Sequence, residues 1–268
     1  LRAIRLGMAG AGMYVESVKG ECNFGQHEIA FKYDEALKTC DNHVIYKNGA
    51  KEIAAQEGYA LTFMAKPNQK EGNSSHIHCS FRGLDGSMVM ADDADKAHGL
   101  SDLGRSFIAG QIAHLKEISL LFAPNINSYK RYVPGSFAPT AIRWGRDNRT
   151  CALRLVGHGQ SLRLENRVPG GDVNPYLAVA GIIAAGLDGI NRKLKLENAF
   201  EGNAYASDSE RVPSTMHEAQ KLWSESEWVK SVFGAEVRAH YTNMAQVELD
   251  AYGKAVTDWE LFRNFERF

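Results

Sequence analysis

The chain has 268 residues, of which 44% are hydrophobic and 24% are charged, which is the composition of a globular protein with a substantial buried core. Its 31 Lys and Arg residues balance 32 Asp and Glu residues, so no net field would attract nucleic acid or an anionic membrane surface. The four cysteines are far apart and form no C-x-x-C pair, which argues against a disulfide framework or a zinc knuckle and indicates a reducing, cytoplasmic compartment.

The first half of the chain mixes short strand patterns with two helical patterns. Strands are expected at residues 14–18, 28–33, 61–65 and 76–81, which are bounded by turn residues. A helix is expected from about Asp34 to Gln56, although the Asn48-Gly49 pair could interrupt it. A second helix should begin after Ser101, a plausible N-cap, and end at Phe122, just before a proline.

The second half begins with three more strands, expected at residues 140–144, 150–156 and 162–167. The Asn174-Pro175 pair then predicts a helix that has Pro175 at its first position and runs to about Gly189. Its apolar residues cover every face, so this helix should be buried, and its apolar run is too short to span a membrane. A long loop is expected at residues 202–213, followed by amphipathic helices and an aromatic tail.

The order of these elements predicts an α+β fold with an antiparallel β-sheet flanked by helices, because regular strand–helix alternation is missing. No internal repeat or domain boundary is evident, so residues 1–268 are expected to form one domain. Apolar residues near Leu1 already resemble the middle of an element, and we therefore expect the chain to be part of a longer gene product.

The strand at residues 162–167 carries an unusual set of charges. Period-two geometry places Arg163, Glu165 and Arg167 on one face and two leucines on the other. One interpretation is a solvated edge strand with mutual ion pairs. The other is a site for a metal ion and phosphate, since the planar fork of arginine matches phosphate oxygens.

Two further groups of polar residues are candidate ligands. Alternation places His76, His78 and Ser80 on one face of a strand, although such histidines are often exposed or simply hydrogen-bonded. Glu21 and Glu28 bracket a turn that can bring their carboxylates together. Carboxylates with few thiolates favour Mg²⁺ or Mn²⁺ over zinc.

Taken together, these segments resemble the catalytic domain of glutamine synthetases along nearly the whole chain. The motifs that carry the resemblance keep the family order: Gly20-Glu21 with Gly25-Gln26-His27-Glu28, T-F-M-A-K-P at residues 62–67, residues 72–80 with their H-x-H-x-S pattern, N-S-Y-K-R-Y-V-P-G at residues 127–135, D-N-R-T at residues 147–150, E-N-R at residues 165–167 and N-P-Y-L at residues 174–177. Chance agreement at so many separate points is very improbable.

The resemblance implies a role for each candidate residue in a ligase that uses ATP and two or three Mg²⁺ or Mn²⁺ ions per site. Metal binding is implied for four residues, in the pairs Glu21 with Glu28 and His76 with Glu165. Glutamate binding is implied for Arg131 together with Gly72 and Arg167. Nucleotide and phosphoryl contacts are implied for His78, Ser80, Arg149, Arg163 and Arg167. These roles suit phosphoryl transfer, which depends on positioning and charge neutralisation.

The sequence departs from the family pattern at Phe137. Ammonia-using members carry a glutamate in the flap, as in V-P-G-x-E-A-P, whereas this chain reads V-P-G-S-F-A-P at residues 133–139. The apolar ring suits an organic amine better than ammonium. The flap therefore resembles that of the γ-glutamyl-amine ligase branch, especially the γ-glutamylethanolamide and γ-glutamylpolyamine synthetases. Ethanolamine or another small monoamine is favoured over a polyamine, because no acidic cluster adjoins the flap. The alternatives are a tolerated substitution in a glutamine synthetase proper and a non-catalytic member with a structural or binding role.

The resemblance also implies a homo-oligomer, because the family builds its sites between neighbouring subunits of rings. A ring-type dodecamer is expected for the full-length protein. The family's small N-terminal domain, and a strand with two further metal glutamates, do not precede Leu1 in this sequence. We therefore expect the chain to hold part of a site and to show no more than trace activity by itself.

Overall fold

Two helices and a β-hairpin form the N-terminal part of the structure, a computed structural model that describes residues 1–268. Helix α1 (Arg2–Gly10) packs on α2 (Ala36–Gln56), next to the antiparallel strands β1 (Val15–Gly20) and β2 (His27–Phe31). Helix α2 continues through the Asn48-Gly49 pair without a break. A Cβ at Gly49 would lie 2.9 Å from the Met8 side chain, so the glycine allows α1 to pack closely.

The central sheet has the strand order β3-β6-β5-β4. Its strands are β3 (Ile77–Cys79), β4 (Ala141–Arg146), β5 (Cys151–Val156) and β6 (Arg163–Asn166). The α+β class is confirmed, and β3, β6 and β5 pair antiparallel as expected. Strands β4 and β5 instead run parallel, although only residues 147–150 separate them. Their connection is no hairpin turn: Asp147 has a φ of 49°, and its backbone N–H donates to the Leu155 carbonyl at 2.9 Å.

Helices cover this sheet and provide most of the core. They are α3 (Asp102–His114), α4 (Ser119–Phe122), α5 (Ile126–Tyr129) and α6 (Pro175–Asn191). The expected caps are present, because the Ser101 hydroxyl accepts from Gly104 and the Asn174 side chain accepts from the first turn of α6. Helix α6 packs along α3, but it is not buried on every face as predicted, since Ile183 and Leu187 are exposed.

The predicted helix from Ser101 to Phe122 is interrupted between α3 and α4. The turn there is closed by the Ser119 hydroxyl, which donates to the Lys116 carbonyl at 2.8 Å, and it lets Leu115 and Ile118 both face the core. The predicted strand at residues 61–65 is wrong. Backbone groups at its end bond instead to a neighbouring loop, where Asn73 donates to the Met64 and Ala65 carbonyls.

Helices dominate the last third of the chain, as the sequence predicts. They are α7 (Met216–Glu225), α8 (Glu227–Phe233), α9 (Ala235–Lys254) and α10 (Asp258–Asn264). Trp223 is fully buried where α7 packs on α9. The side chains of α10 and the residues after it remain exposed. No helix combines the length and apolar character needed to cross a bilayer.

Candidate active site

A buried carboxylate, Glu165, lies at the centre of the candidate site with 3% of its surface exposed. Strand β6 runs between β3 and β5, so that His78 and Arg154 are its direct neighbours in register. One carboxylate oxygen lies 2.9 Å from Arg167 Nη1 and 3.1 Å from His76 Nδ1, and the other lies 3.0 Å from Arg154 Nη1. The interpretation of this face as a solvated edge is therefore wrong.

The charges around Glu165 keep it ionised. Burial alone would raise the pKa of Glu165, but the hydrogen bond from His76 and the positive charge of Arg167 hold that pKa far below its usual range. Burial lowers the pKa of His76 and lowers that of His78 to about 4. Both imidazoles are thus neutral near pH 7, and a neutral imidazole nitrogen is a metal ligand.

Arg131 is a buried cation without a paired carboxylate. It is 1% exposed, and its Nη1 donates to the Ser74 hydroxyl at 3.0 Å while Nη2 donates to the Val168 carbonyl. Its guanidinium carbon lies 5.1 Å from the centre of the Tyr132 ring. The Nε atom is buried and has no hydrogen-bond partner. An unpaired guanidinium in such a position has donors to spare for an anionic ligand.

Gly72 lies directly over Arg131. A Cβ at this position would approach the Arg131 Cγ to 2.7 Å and the Ala65 carbonyl oxygen to 2.5 Å, so any larger residue would displace the arginine. The Gly72 carbonyl accepts from the Gln26 side chain at 2.9 Å, and the same amide donates to Asn73 at 2.8 Å. Gln26 thus fastens the β1–β2 hairpin to the segment that covers Arg131.

The hairpin carries Glu21 and Glu28, whose carboxylates share one cation. Lys19 Nζ lies 2.9 Å from Glu21 and 3.2 Å from Glu28. The hydrogen bond from Lys19 lowers the pKa of Glu21. The four predicted metal residues therefore form two pairs, and no group of three or more His, Cys, Asp or Glu side chains is close enough to hold a metal ion.

The flap presents Phe137 at the edge of the Glu165 cluster. Its backbone has a φ of 62°, which residues other than glycine rarely adopt. Of its surface, 61% is exposed. The carbonyl of Phe137 accepts from Arg167 Nη2 at 3.4 Å. The hydroxyl of Ser136 donates to the Arg131 and Val133 carbonyls at 3.1 and 2.6 Å. Backbone contacts thus hold the flap beside both buried arginines.

The residues predicted to bind the nucleotide lie in two different places. Arg163 Nε donates to His78 Nδ1 at 3.2 Å, beside Glu165, and Ser80 is exposed on the same edge of the sheet. Arg149 lies elsewhere, on the connection between β4 and β5, where it is exposed and lines a cleft of about 540 Å³. The structure therefore brings most of the predicted residues together but leaves Arg149 without a direct bond to Glu165.

Comparison with known proteins identifies the family of the chain. The glutamine synthetase catalytic-domain family matches residues 1–264. The chain belongs to the glutamine synthetase family. It is 65% identical to a γ-glutamylethanolamide synthetase, GlnA4, of Streptomyces coelicolor over 267 residues, which is 100% of this chain and 57% of that protein. It is 41% identical to a glutamate–isopropylamine ligase of a Pseudomonas species over 265 residues, which is 97% of this chain and 58% of that protein.

A solved structure, a complex of GmaS with ADP, superposes on this glutamine synthetase-family chain with a TM-score of 0.90 and 31% identity. The superposition covers 98% of this chain and 62% of that one. The chain thus spans somewhat more than half the length of the relatives that it matches.

One site residue of this glutamine synthetase-family chain was missed by the sequence reasoning. Arg154 bonds to Glu165 at 3.0 Å, and its Nε donates to Asp147 at 2.8 Å. The signal was available, because Arg154 is the one charged residue in the apolar strand Cys151–Val156. A cation in the middle of such a strand needs a buried partner, and the neighbouring strand supplies Glu165.

The two predicted ligand pairs, Glu21 with Glu28 and His76 with Glu165, have donor atoms that suit divalent metal ions. His76 Nδ1 lies 3.1 Å from a Glu165 oxygen, so a nitrogen and a carboxylate meet at one place, and the imidazole is neutral near pH 7. At the hairpin, the ammonium of Lys19 already occupies a position between two carboxylates that suits a cation. Carboxylate oxygens with a single histidine are a donor set for Mg²⁺ or Mn²⁺.

Proposed function

We propose that residues 1–268 form one catalytic domain of an ATP-dependent ligase that joins the γ-carboxylate of glutamate to a small organic amine. The observation that carries this proposal is Phe137, an apolar and largely exposed residue whose backbone carbonyl bonds to Arg167 next to Glu165, at a position where ammonia-using relatives would need a carboxylate. The similarity to an ethanolamide synthetase and an isopropylamine ligase supports the same acceptor class.

The arginines of the site bind different parts of the substrates. Arg131, with its unpaired Nε, binds the α-carboxylate of glutamate beneath Gly72. Arg167 and Arg154 bond to Glu165, and Arg163 bonds to the adjacent His78, so three cations face the two carboxylates of Glu165 and Asp147. The excess positive charge stabilises the negative oxygens of the transferring phosphoryl group. His78 and Ser80 face the nucleotide, and Arg149 reaches the phosphates from the β4–β5 connection.

Two pairs of residues would hold the divalent metal ions, one formed by Glu21 and Glu28 and the other by His76 and Glu165. When bound, these Mg²⁺ or Mn²⁺ ions neutralise phosphate charge.

The reaction takes place in two displacements at glutamate. An oxygen of the γ-carboxylate attacks the γ-phosphorus of ATP, which forms γ-glutamyl phosphate and releases ADP. The amine nitrogen then attacks the acyl carbon, the carbon–oxygen bond to phosphate breaks, and the proton of the amine is lost to solvent. The buried arginines act by position and charge and form no covalent bond.

Phe137→Glu in the full-length protein should move acceptor preference from an organic amine toward ammonia. Each buried methylene of the amine contributes about 0.8 kcal/mol beside an apolar ring, so the two methylenes of ethanolamine correspond to roughly a tenfold preference. A carboxylate at this position would instead stabilise ammonium. The measurement is kcat/KM for ammonia, ethanolamine and putrescine, followed as ATP-dependent phosphate release.

Phe137→Leu serves as the matched control, because it keeps an apolar side chain and should keep the amine preference. A wild-type protein that uses ammonia at least as well as every amine tested would make this a glutamine synthetase in the narrow sense. A protein that releases no phosphate with any acceptor would instead fit a non-catalytic member of the family.

A homo-oligomer, and a ring-type dodecamer in particular, belongs to the same proposal. Exposed aromatic side chains at the end of the chain support it, since Phe262 is 93% exposed and Trp259, Phe265 and Phe268 are also exposed. The double substitution Phe262→Glu and Phe265→Glu in the full-length protein should therefore yield smaller particles in light scattering. Leu84→Glu, a change at another exposed apolar residue, should leave the particle mass unchanged; equal masses for all three proteins would contradict an interface here.

A cytoplasmic location is part of the proposal as well. All four cysteines are free, which supports a reducing compartment.

A further inference from the structure

A loop far along the chain reaches back to the flap. The hydroxyl of Tyr205 donates to the carbonyl of Ala138 at 2.9 Å. Ala138 is buried and directly follows Phe137, so this bond fixes the backbone next to the residue that faces the acceptor. Burial raises the pKa of Tyr205, which therefore keeps its hydroxyl proton at neutral pH.

Arg211 makes the loop around Tyr205 rigid. Its Nη1 donates to the Thr140 hydroxyl at 3.0 Å and to the Ala204 carbonyl at 3.1 Å, and its Nη2 donates to the Tyr205 carbonyl at 3.2 Å. Two backbone bonds add to this, because Val212 donates to Thr140 at 2.9 Å and Ile142 donates to Glu210 at 2.8 Å. The loop is thus tied to the start of β4, and Tyr205 transmits that fixed position to the flap.

Phe137 depends on such support because its own backbone is strained. A φ of 62° is unfavourable for a residue with a Cβ, and it persists when the surrounding structure determines it. On the preceding side, the Ser136 hydroxyl holds the flap to Arg131 and Val133. The bond from Arg167 to the Phe137 carbonyl is long, at 3.4 Å. At the next residue, Ala138, the hydrogen bond from Tyr205 is shorter, at 2.9 Å.

We infer that Tyr205 is a positioning residue for the acceptor amine, which it serves by holding the Ala138 carbonyl and thereby the Phe137 ring. This inference rests on the proposed function, because it assigns Phe137 to the acceptor side of the reaction. Tyr205 acts through the flap, and its hydroxyl makes no hydrogen bond to Arg131 or Glu165. Its loss should therefore affect the amine and leave the binding of glutamate and ATP largely unchanged.

The test is Tyr205→Phe in the full-length protein, with steady-state kinetics in which glutamate, ATP and ethanolamine are varied in turn. We expect kcat/KM for ethanolamine to fall about fivefold through a higher KM, the factor typical for the loss of one neutral hydrogen bond. The KM values for glutamate and ATP should remain within about twofold, since their ligands are untouched. Tyr59→Phe, at an exposed tyrosine outside the site, should change none of these constants.

A double-mutant cycle separates positioning from general structural support. Glycine adopts a φ of 62° without strain and has no ring to position. In the background of Phe137→Gly, the loss of the Tyr205 hydrogen bond through Tyr205→Phe should therefore have little further effect. An equal fall in both backgrounds, an unchanged KM for ethanolamine, or a parallel rise of all three KM values would overturn the inference. Failure of the proposed function gives a different result, namely a wild-type preference for ammonia before any tyrosine is changed.

Discussion

Glu165→Gln in the full-length protein should reduce ATP-dependent phosphate release by about a thousandfold, which corresponds to roughly 4 kcal/mol of transition-state stabilisation. Glutamine keeps the shape of the side chain but removes the charge that Arg167, Arg154 and His76 share. It also removes one proposed metal ligand, so Mn²⁺ affinity should fall at least about tenfold in calorimetric titration. His76→Ala should weaken Mn²⁺ binding in the same direction.

Loss of folding must be separated from loss of chemistry in this experiment. Breaking a buried ion pair by removing one partner costs about 3–5 kcal/mol, so thermal unfolding has to be followed for each variant. Glu248→Gln, at an exposed glutamate, provides the matched control and should alter neither activity nor unfolding. Metal affinity that stays at the wild-type level in both the Glu165 and His76 variants would rule out this pair as metal ligands.

Arg131→Met in the full-length protein should raise the KM for glutamate by a factor on the order of 30 to several thousand, which corresponds to about 2–5 kcal/mol for one partner of a buried charge pair. The physical reason is that a carboxylate ligand would meet a guanidinium that has been desolvated in advance and has a free Nε. Arg131→Lys should recover little, because an ammonium cannot form two parallel bonds to a carboxylate. The KM for ATP should change much less.

Arg131→Met should lose much of its affinity for glutamate but little of its stability against unfolding. Arg131 carries a buried charge with no paired carboxylate, and burial lowers its pKa. Its burial therefore already lowers the stability of the ligand-free protein. Thermal unfolding of Arg131→Met should therefore occur close to the wild-type temperature. A matched change at an exposed arginine, Arg2→Lys, should leave both KM values unchanged. An Arg131→Met protein with a normal KM for glutamate would contradict the assignment.

Local periodicity was sufficient to predict which side chains share a face in the central sheet. Alternation in residues 162–167 grouped Glu165 with Arg167, and the ion pair between them is present. Caps were equally predictable, because Ser101 and Asn174 act through bonds to the next turn of the chain. Such features depend on neighbours in sequence.

Features that depend on distant parts of the chain could not be predicted in this way. The burial of Glu165 and its bond to Arg154 follow from the pairing of β5 with β6. A short connection usually joins antiparallel strands, but β4 and β5 pair in parallel. The left-handed backbone of Asp147 in this connection is not apparent from its residue type. Lys19 was likewise overlooked, because a lysine beside two glutamates in sequence does not by itself show that it bridges them.

The contacts that hold the flap have a consequence for how acceptor preference can diverge among related ligases. Arg167 and Tyr205 hold residues 137 and 138 through carbonyl oxygens, which every amino acid possesses. The Phe137 side chain takes no part in this anchoring and remains largely exposed. Natural variation can therefore exchange the ring for another group without changing the contacts that hold the backbone, and under the proposed function a single substitution at this position would be enough to alter the preference for the nitrogen donor.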